Sequence, residues 1–146
     1  MKNRLWISFL GALIVCSFLV YLYLFKTKEV VIVVADRQIS VEIAKTAKAK
    51  AIGLGYRQNL PENKGMVFVY RVKEVPGFWM KGMNFPIDII WIIDGEVVGC
   101  ESDVPVVFGN NYPIYRPIVS VNMVLEVNAG FCQKNRVKTG DKVIWR

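Results

Sequence analysis

The sequence predicts a mainly β domain: a compact antiparallel β-sandwich or partly closed barrel, with one short helix packed on it. An N-terminal transmembrane helix precedes the domain. Three observations carry this reading. Short β-branched and apolar runs recur between turn signals from residue 30 onwards. Only one segment changes to a helical period. The helices that a parallel α/β fold needs between its strands are missing.

The N-terminal run comes first. Residues 5–25 read LWISFLGALIVCSFLVYLYLF, 21 residues without a charge. As a helix they span about 32 Å, enough for a hydrocarbon core. A cleaved signal peptide has a shorter apolar region and a small-residue cleavage site. Val15 before Cys16 is too bulky for lipoprotein processing. The reading is a retained signal anchor. Lys2, Arg4 and the terminal amine on one side nearly balance Lys26 and Lys28 on the other. The expected organisation is a cytoplasmic N-terminus over 1–4, a single-pass anchor in the cytoplasmic membrane over 5–25, and a linker with the first strand over 26–38. A soluble extracytoplasmic β domain fills 39–146.

The elements of that domain follow in order. Residues 30–35 form a β-branched strand, and Ile39, Val41 and Ile43 alternate with Ser40 and Glu42 in a second. Thr46 caps a helix from Ala47, with Ala47, Ala51 and Leu54 expected to face the sheet. Gly53 and Gly55 end it and release Arg57. Residues 66–70 are a strand. The apolar run 87–93 is a covered central strand apart from Asp88. Asp94-Gly95 signals a type I′ turn into a strand over 97–101. Residues 103–117 make a long loop carrying Phe108, Tyr112 and Tyr115. Over 119–127 the odd positions are expected inside, with Ser120, Asn122 and Glu126 outside. A helical turn over 131–137 and a last strand over 142–145 complete the chain.

Composition excludes several chemistries. The chain has no histidine, which removes Ser-His-Asp and Cys-His catalysis and imidazole zinc sites. Nineteen basic against twelve acidic residues give a net charge of +7. The lysines are scattered, and no basic run with interleaved aromatics suggests nucleic acid. Cys100 and Cys132 can pair in an oxidising compartment or stay as two buried thiols. Met66, Met80, Met83 and Met123 raise a thioether site for Cu(I), but methionine more often fills gaps in a core. No metal or cofactor is expected.

The most chemically suggestive stretch is residues 77–93, GFWMKGMNFPIDIIWII. Trp79 is a core residue or a platform for a sugar. Asp88, on an apolar strand, must be neutral, paired or hydrogen-bonded. Backbone N–H groups of the 80–84 loop, Arg57 or Lys81 are its expected partners. The candidate ligand site is therefore Arg57, Trp79, Lys81, Asn84 and Asp88, gathered at one end of the sheet. A saccharide, an envelope polymer or a protein is the expected ligand. The alternative is a hydrolase or transferase on an envelope polymer, with Asp88 or Glu101 as acid/base and Lys81 or Arg57 stabilising charge. Glu101, Asp103 and Glu126 are the carboxylates that could act with Asp88.

Five blocks in order also resemble a known family, domain of unknown function 192, over about residues 39–143. They are Gly53-Leu54 with Arg57, then Gly65-Met66-Val67-Phe68. Phe78-Trp79-Met80-Lys81 with Pro86-Ile87-Asp88 follows. Leu125-Glu126-Val127 with Ala129-Gly130, and then Gly140-Asp141, close the pattern. Gly55 stands where the family often has methionine, and Gly82 where asparagine usually follows the lysine. If that asparagine has a polar role in the family, either Asn84 takes it over or the role is lost here. The resemblance implies a mainly β domain, often exported or membrane-tethered, with no established activity.

Overall fold

A computed structural model describes residues 16–17 and 30–146. The expected anchor falls almost wholly outside these residues. Among the described residues no helix is long and apolar enough to cross a membrane. The domain is mainly β. Its strands are β1 (Val30–Val34), β2 (Arg37–Ala44), β3 (Lys64–Glu74), β4 (Ile87–Ile93), β5 (Glu96–Val104), β6 (Val121–Asn128) and β7 (Val143–Trp145). Two short helices interrupt them, α1 (Ala47–Ile52) and α2 (Phe131–Asn135).

All seven strands form one sheet in the order β5-β4-β6-β3-β2-β1-β7. Its two edges turn towards each other, where Glu96 bridges Lys142 and Val97 N donates to Asp141 O at 2.9 Å. The sheet is therefore a curled, partly closed barrel and not a sandwich. One pairing departs from the antiparallel expectation: β2 and β3 run parallel, Val41 opposite Gly65. The connection between them carries α1, as a parallel pairing requires.

Both faces of the sheet are covered, and each has its own core. Ile32, Val34, Ile39, Val41, Val67, Ile90, Ile92 and Leu125 fill the concave side. Leu54, Met66, Phe68, Phe78, Met80, Ile87, Ile89, Trp91 and Val124 form the second layer on the other side. Phe78 meets Phe68 edge-on at 4.9 Å and Trp91 at 5.6 Å. Gly99 faces the Trp91 ring, where a Cβ would come within 3.3 Å of it. All four methionines weighed for copper are buried, divided between the two cores.

Several local expectations are corrected by this double cover. β6 starts at Val121, and Val119 is exposed. Glu126, expected outside, is buried, because its face of β6 is covered too. α1 does start at Ala47, with Thr46 Oγ1 accepting from Ala49 N at 3.0 Å. It runs only six residues and buries none of them completely. Its Ala49 packs on the second core, while Ala47 and Ala51 do not.

At the far end of β4, Asp88 is fully buried. Cys100 and Cys132 form a disulfide that ties β5 to α2 beside it. Asp94 and Gly95 both take positive φ, as a type I′ turn requires.

Candidate functional site

Two loops meet over the second core and leave a cleft between them. One is α1 with the turn that follows, and the other is the segment from Pro76 to Asn84. Gly53 closes α1 at φ 55°, and its N–H returns to Ala49 O at 2.9 Å. The chain then folds back on itself. At Gly55 a Cβ would lie 2.8 Å from Ile52 O, so a side chain has no room. Tyr56 N donates to Gly82 O at 2.7 Å. Gly82 has φ 73°, and the Tyr56 ring lies where its Cβ would be, at 2.9 Å. Gly55 and Gly82 are thus both closely approached by neighbouring atoms. The turn needs glycine at 55, and Tyr56 needs glycine at 82.

The remaining fasteners involve residues singled out from the sequence. Asn84 Nδ2 donates to Arg57 O at 2.8 Å and so holds the two loops together. Arg57 makes a forked pair with Glu42, at 2.5 and 2.9 Å. The hydrogen bond to Glu42 raises the Arg57 pKa further, and the nearby charges of Glu42 and Glu126 add to it. Phe78 and Tyr115 exchange backbone hydrogen bonds at 2.8 and 2.9 Å. Arg116 Nη1 donates to Val75 O at 3.1 Å. The long aromatic loop therefore buttresses the Trp79 segment from behind.

The cleft has a volume of about 370 Å³. Ala47 and Ala51 line it, which is where the missing inward face of α1 points. Trp79 and Lys81 stand on the opposite side, Trp79 with 46% of its surface exposed. Tyr70 and Lys50 also line it, with Lys50 Nζ 3.8 Å above the Tyr70 ring and donating to Val69 O. Just past Tyr70 the β3–β6 register slips between Val69 and Glu74, a bulge that redirects this end of β3. Burial and the neighbouring Glu74 charge push the Tyr70 hydroxyl up to about 12.

Glu126 also lines this cleft. Its side chain is buried, and Oε2 has no hydrogen-bond partner among the described residues. Burial raises the carboxyl to about 8, against the lowering effects of the Leu54 N–H and the Arg57 charge. At neutral pH Glu126 is largely a neutral acid, with an O–H to offer a ligand. Sequence reasoning missed its place here. The available signal is a lone carboxylate inside the apolar run 123–127, which strand alternation alone places outside.

Asp88 is not part of this cleft. Ile87 and Ile89 belong to the second core, whereas Ile90 and Ile92 face the concave side, and Asp88 alternates with the latter. Its carboxylate accepts backbone N–H groups from Asp103 at 2.8 Å, Gly130 at 3.1 Å and Cys132 at 2.7 Å. Backbone donors were among the expected partners, but they come from these loops and not from residues 80–84, Arg57 or Lys81. The five sequence candidates thus divide. Trp79 and Lys81 line the cleft, Arg57 and Asn84 brace its wall, and Asp88 pins the opposite face. Glu101 lines a separate hollow with Trp91, Val98 and Pro117. Ile89 lies opposite both Glu101 and Glu126, so apolar packing separates these carboxylates.

With this geometry in hand, comparison with family models decides the kinship. A model for domain of unknown function 192, described as uncharacterised ACR, matches residues 30–145. The chain belongs to the DUF192 family. This DUF192 domain is similar to the crystal structure of a protein of unknown function from Novosphingobium aromaticivorans DSM 12444. The identity is 27% and the TM-score 0.74, over 80% of this chain and 85% of that one. It is also similar to a protein from Sinorhizobium meliloti 1021 provisionally described as a transcription regulator. There the identity is 26% and the TM-score 0.72, over 80% and 92% of the two chains. No curated protein matches the chain.

Proposed function

We propose that this DUF192 domain is a membrane-tethered, extracytoplasmic binding module, and that the α1–Trp79 cleft is its ligand site. The observation that carries the reading is Glu126: a buried carboxyl with an unpartnered oxygen, lining a cleft that exposes Trp79. An orphaned buried oxygen costs free energy until something bonds to it. A half-exposed indole offers a flat apolar platform, and Lys81 adds a mobile cation at the rim. Together they suit a saccharide of a cell-envelope polymer, with hydroxyls for Glu126 and a ring face for Trp79. The tether is the apolar run 5–25.

The test is a thermal-shift titration of the full-length chain in nanodiscs against neutral and anionic saccharides. Binding to the folded state alone raises the apparent stability. A saccharide is expected to raise the Tm of the parent and of Asp88→Asn, and to leave Trp79→Ala unshifted. No shift with any saccharide, or an equal shift in Trp79→Ala, overturns the reading.

The hydrolase or transferase reading moves to Glu126. Asp88 is sealed behind three backbone donors, and Glu101 lies outside the cleft. A carboxyl raised to about 8 is suited to act as a general acid. Release of product from an envelope-polymer substrate, abolished by Glu126→Gln, is the outcome that separates this reading from simple binding.

A further inference from the structure

We infer that the mouth of the barrel where β1 begins and β7 ends seats on the surface of an anionic lipid bilayer. This rests on the tether proposed above and adds an orientation and a contact surface to it. Chain length is the first constraint. From Phe25, the last residue of the apolar run, to Val30, the first of β1, there are five Cα steps. Fully extended, they reach about 18 Å at most. If the run spans a bilayer, Val30 cannot stand farther than this from the end of the span. Whatever surrounds Val30 therefore lies within about 18 Å of the end of the span, close enough to reach the head groups.

What surrounds Val30 is the end of β7. Ile32 pairs with Trp145, and Arg146 N donates to Val31 O at 2.8 Å. Trp145 follows the inward alternation of Val143, which is buried. At the mouth of the barrel it emerges instead, 43% exposed, with its neighbour Ile144 54% exposed. Two large apolar side chains in water are individually unremarkable. Here they adjoin the point at which a five-step linker delivers the chain. Tryptophan favours the membrane–water interface, where its ring meets acyl chains and its N–H meets water. Arg146 beside it supplies a cation. Each basic residue near an anionic surface adds to the attraction. The composition of this corner is that of an interfacial contact.

The test uses the full-length chain reconstituted into phosphatidylcholine–phosphatidylglycerol vesicles whose acyl chains are brominated near the head group. Bromine quenches nearby tryptophans. Flotation with the vesicles reports the tether; Trp6 in the apolar run gives a quenched background, and the part of the quenching that depends on Trp145 reports the seat. The expected result is co-flotation, with a quenched component that Trp145→Phe removes and Trp79→Phe leaves in place. Phenylalanine keeps an aromatic ring at the barrel mouth, and a circular dichroism spectrum matching the parent verifies that the variant is folded. Co-flotation with quenching unchanged by Trp145→Phe overturns the seat and leaves the tether standing. Failure to float overturns both.

Discussion

Gly53 lies against Glu126: a Cβ at position 53 would stand 3.4 Å from Oε2 and 3.4 Å from the Phe68 ring. The contact is ordinary in distance, but the backbone there has φ 55° and ψ −134°, a conformation that L side chains avoid. Gly53→Ala is expected to destabilise the domain by about 1–3 kcal/mol through strain. It should also weaken ligand binding, since relief of the strain moves α1 relative to Glu126. Urea unfolding and titration of the same variant measure the two effects.

Glu126 makes stability depend on pH with a definite sign. Its carboxyl is raised from the ordinary 4.5 to about 8 in the folded state. Below 4.5 both folded and unfolded forms are protonated, and burial of the neutral acid keeps its full contribution. Between 4.5 and 8 the unfolded chain gives up its proton and the folded one does not, so stability falls as pH rises. Glu126→Gln should flatten this slope and make the domain more stable than the parent at pH 8. Denaturant midpoints at pH 5, 6.5 and 8 for both chains check it. An equal slope in the two would show that Glu126 titrates normally.

Asp88→Asn exchanges one accepting oxygen for a donor facing a backbone N–H. All three bonds come from segments distant in sequence, Asp103, Gly130 and Cys132. The expected cost is about 1–3 kcal/mol, with saccharide affinity unchanged, because the cleft is on the other face. Chemical denaturation together with the thermal-shift titration distinguishes this from a ligand role.

The disulfide is tested by thiol counting. The full chain under denaturing, non-reducing conditions should label at Cys16 only, and at Cys100 and Cys132 after reduction. Breaking the bond with Cys100→Ala and Cys132→Ala should cost about 2–4 kcal/mol. Mass spectrometry of the labelled protein reads the count.

Lys81→Ala should leave stability within about 0.5 kcal/mol, as exposed residues do, and Trp79→Ala should cost about 1–2 kcal/mol for the half of the indole that is buried. Both should reduce saccharide-induced thermal shift. A large loss of stability in Trp79→Ala would mark the indole as a packing residue.

Much of the fold was legible because its signals are local. Thr46 before an alanine-rich segment, Asp94-Gly95 between apolar runs, and the continuous apolarity of residues 87–93 each specify an element within a few residues. What was not legible depended on layers added from elsewhere in the chain. Glu126 alternates like a solvent-facing residue, and nothing nearby in sequence states that α1 and its turn cover it. Ala47 and Ala51 mark a small-residue face correctly, but whether that face meets a sheet or a cleft depends on where residues 76–84 run. Asp88 was readable as a carboxylate needing partners. Its donors were not, since backbone N–H groups carry no residue signature. The bond between Cys100 and Cys132 likewise rests on α2 folding back to β5.

Strand β6 occupies the place between β4 and β3, although it follows both in sequence. The connection from β3 to β4 therefore joins strands that never pair, and their shared edges stay bare until residues 121–128 arrive. Before β6 is made, β1-β2-β3 and β4-β5 can pair only as two separate pieces. Folding must wait for most of the chain, and a nascent chain halted before Val121 exposes two long apolar edges at once.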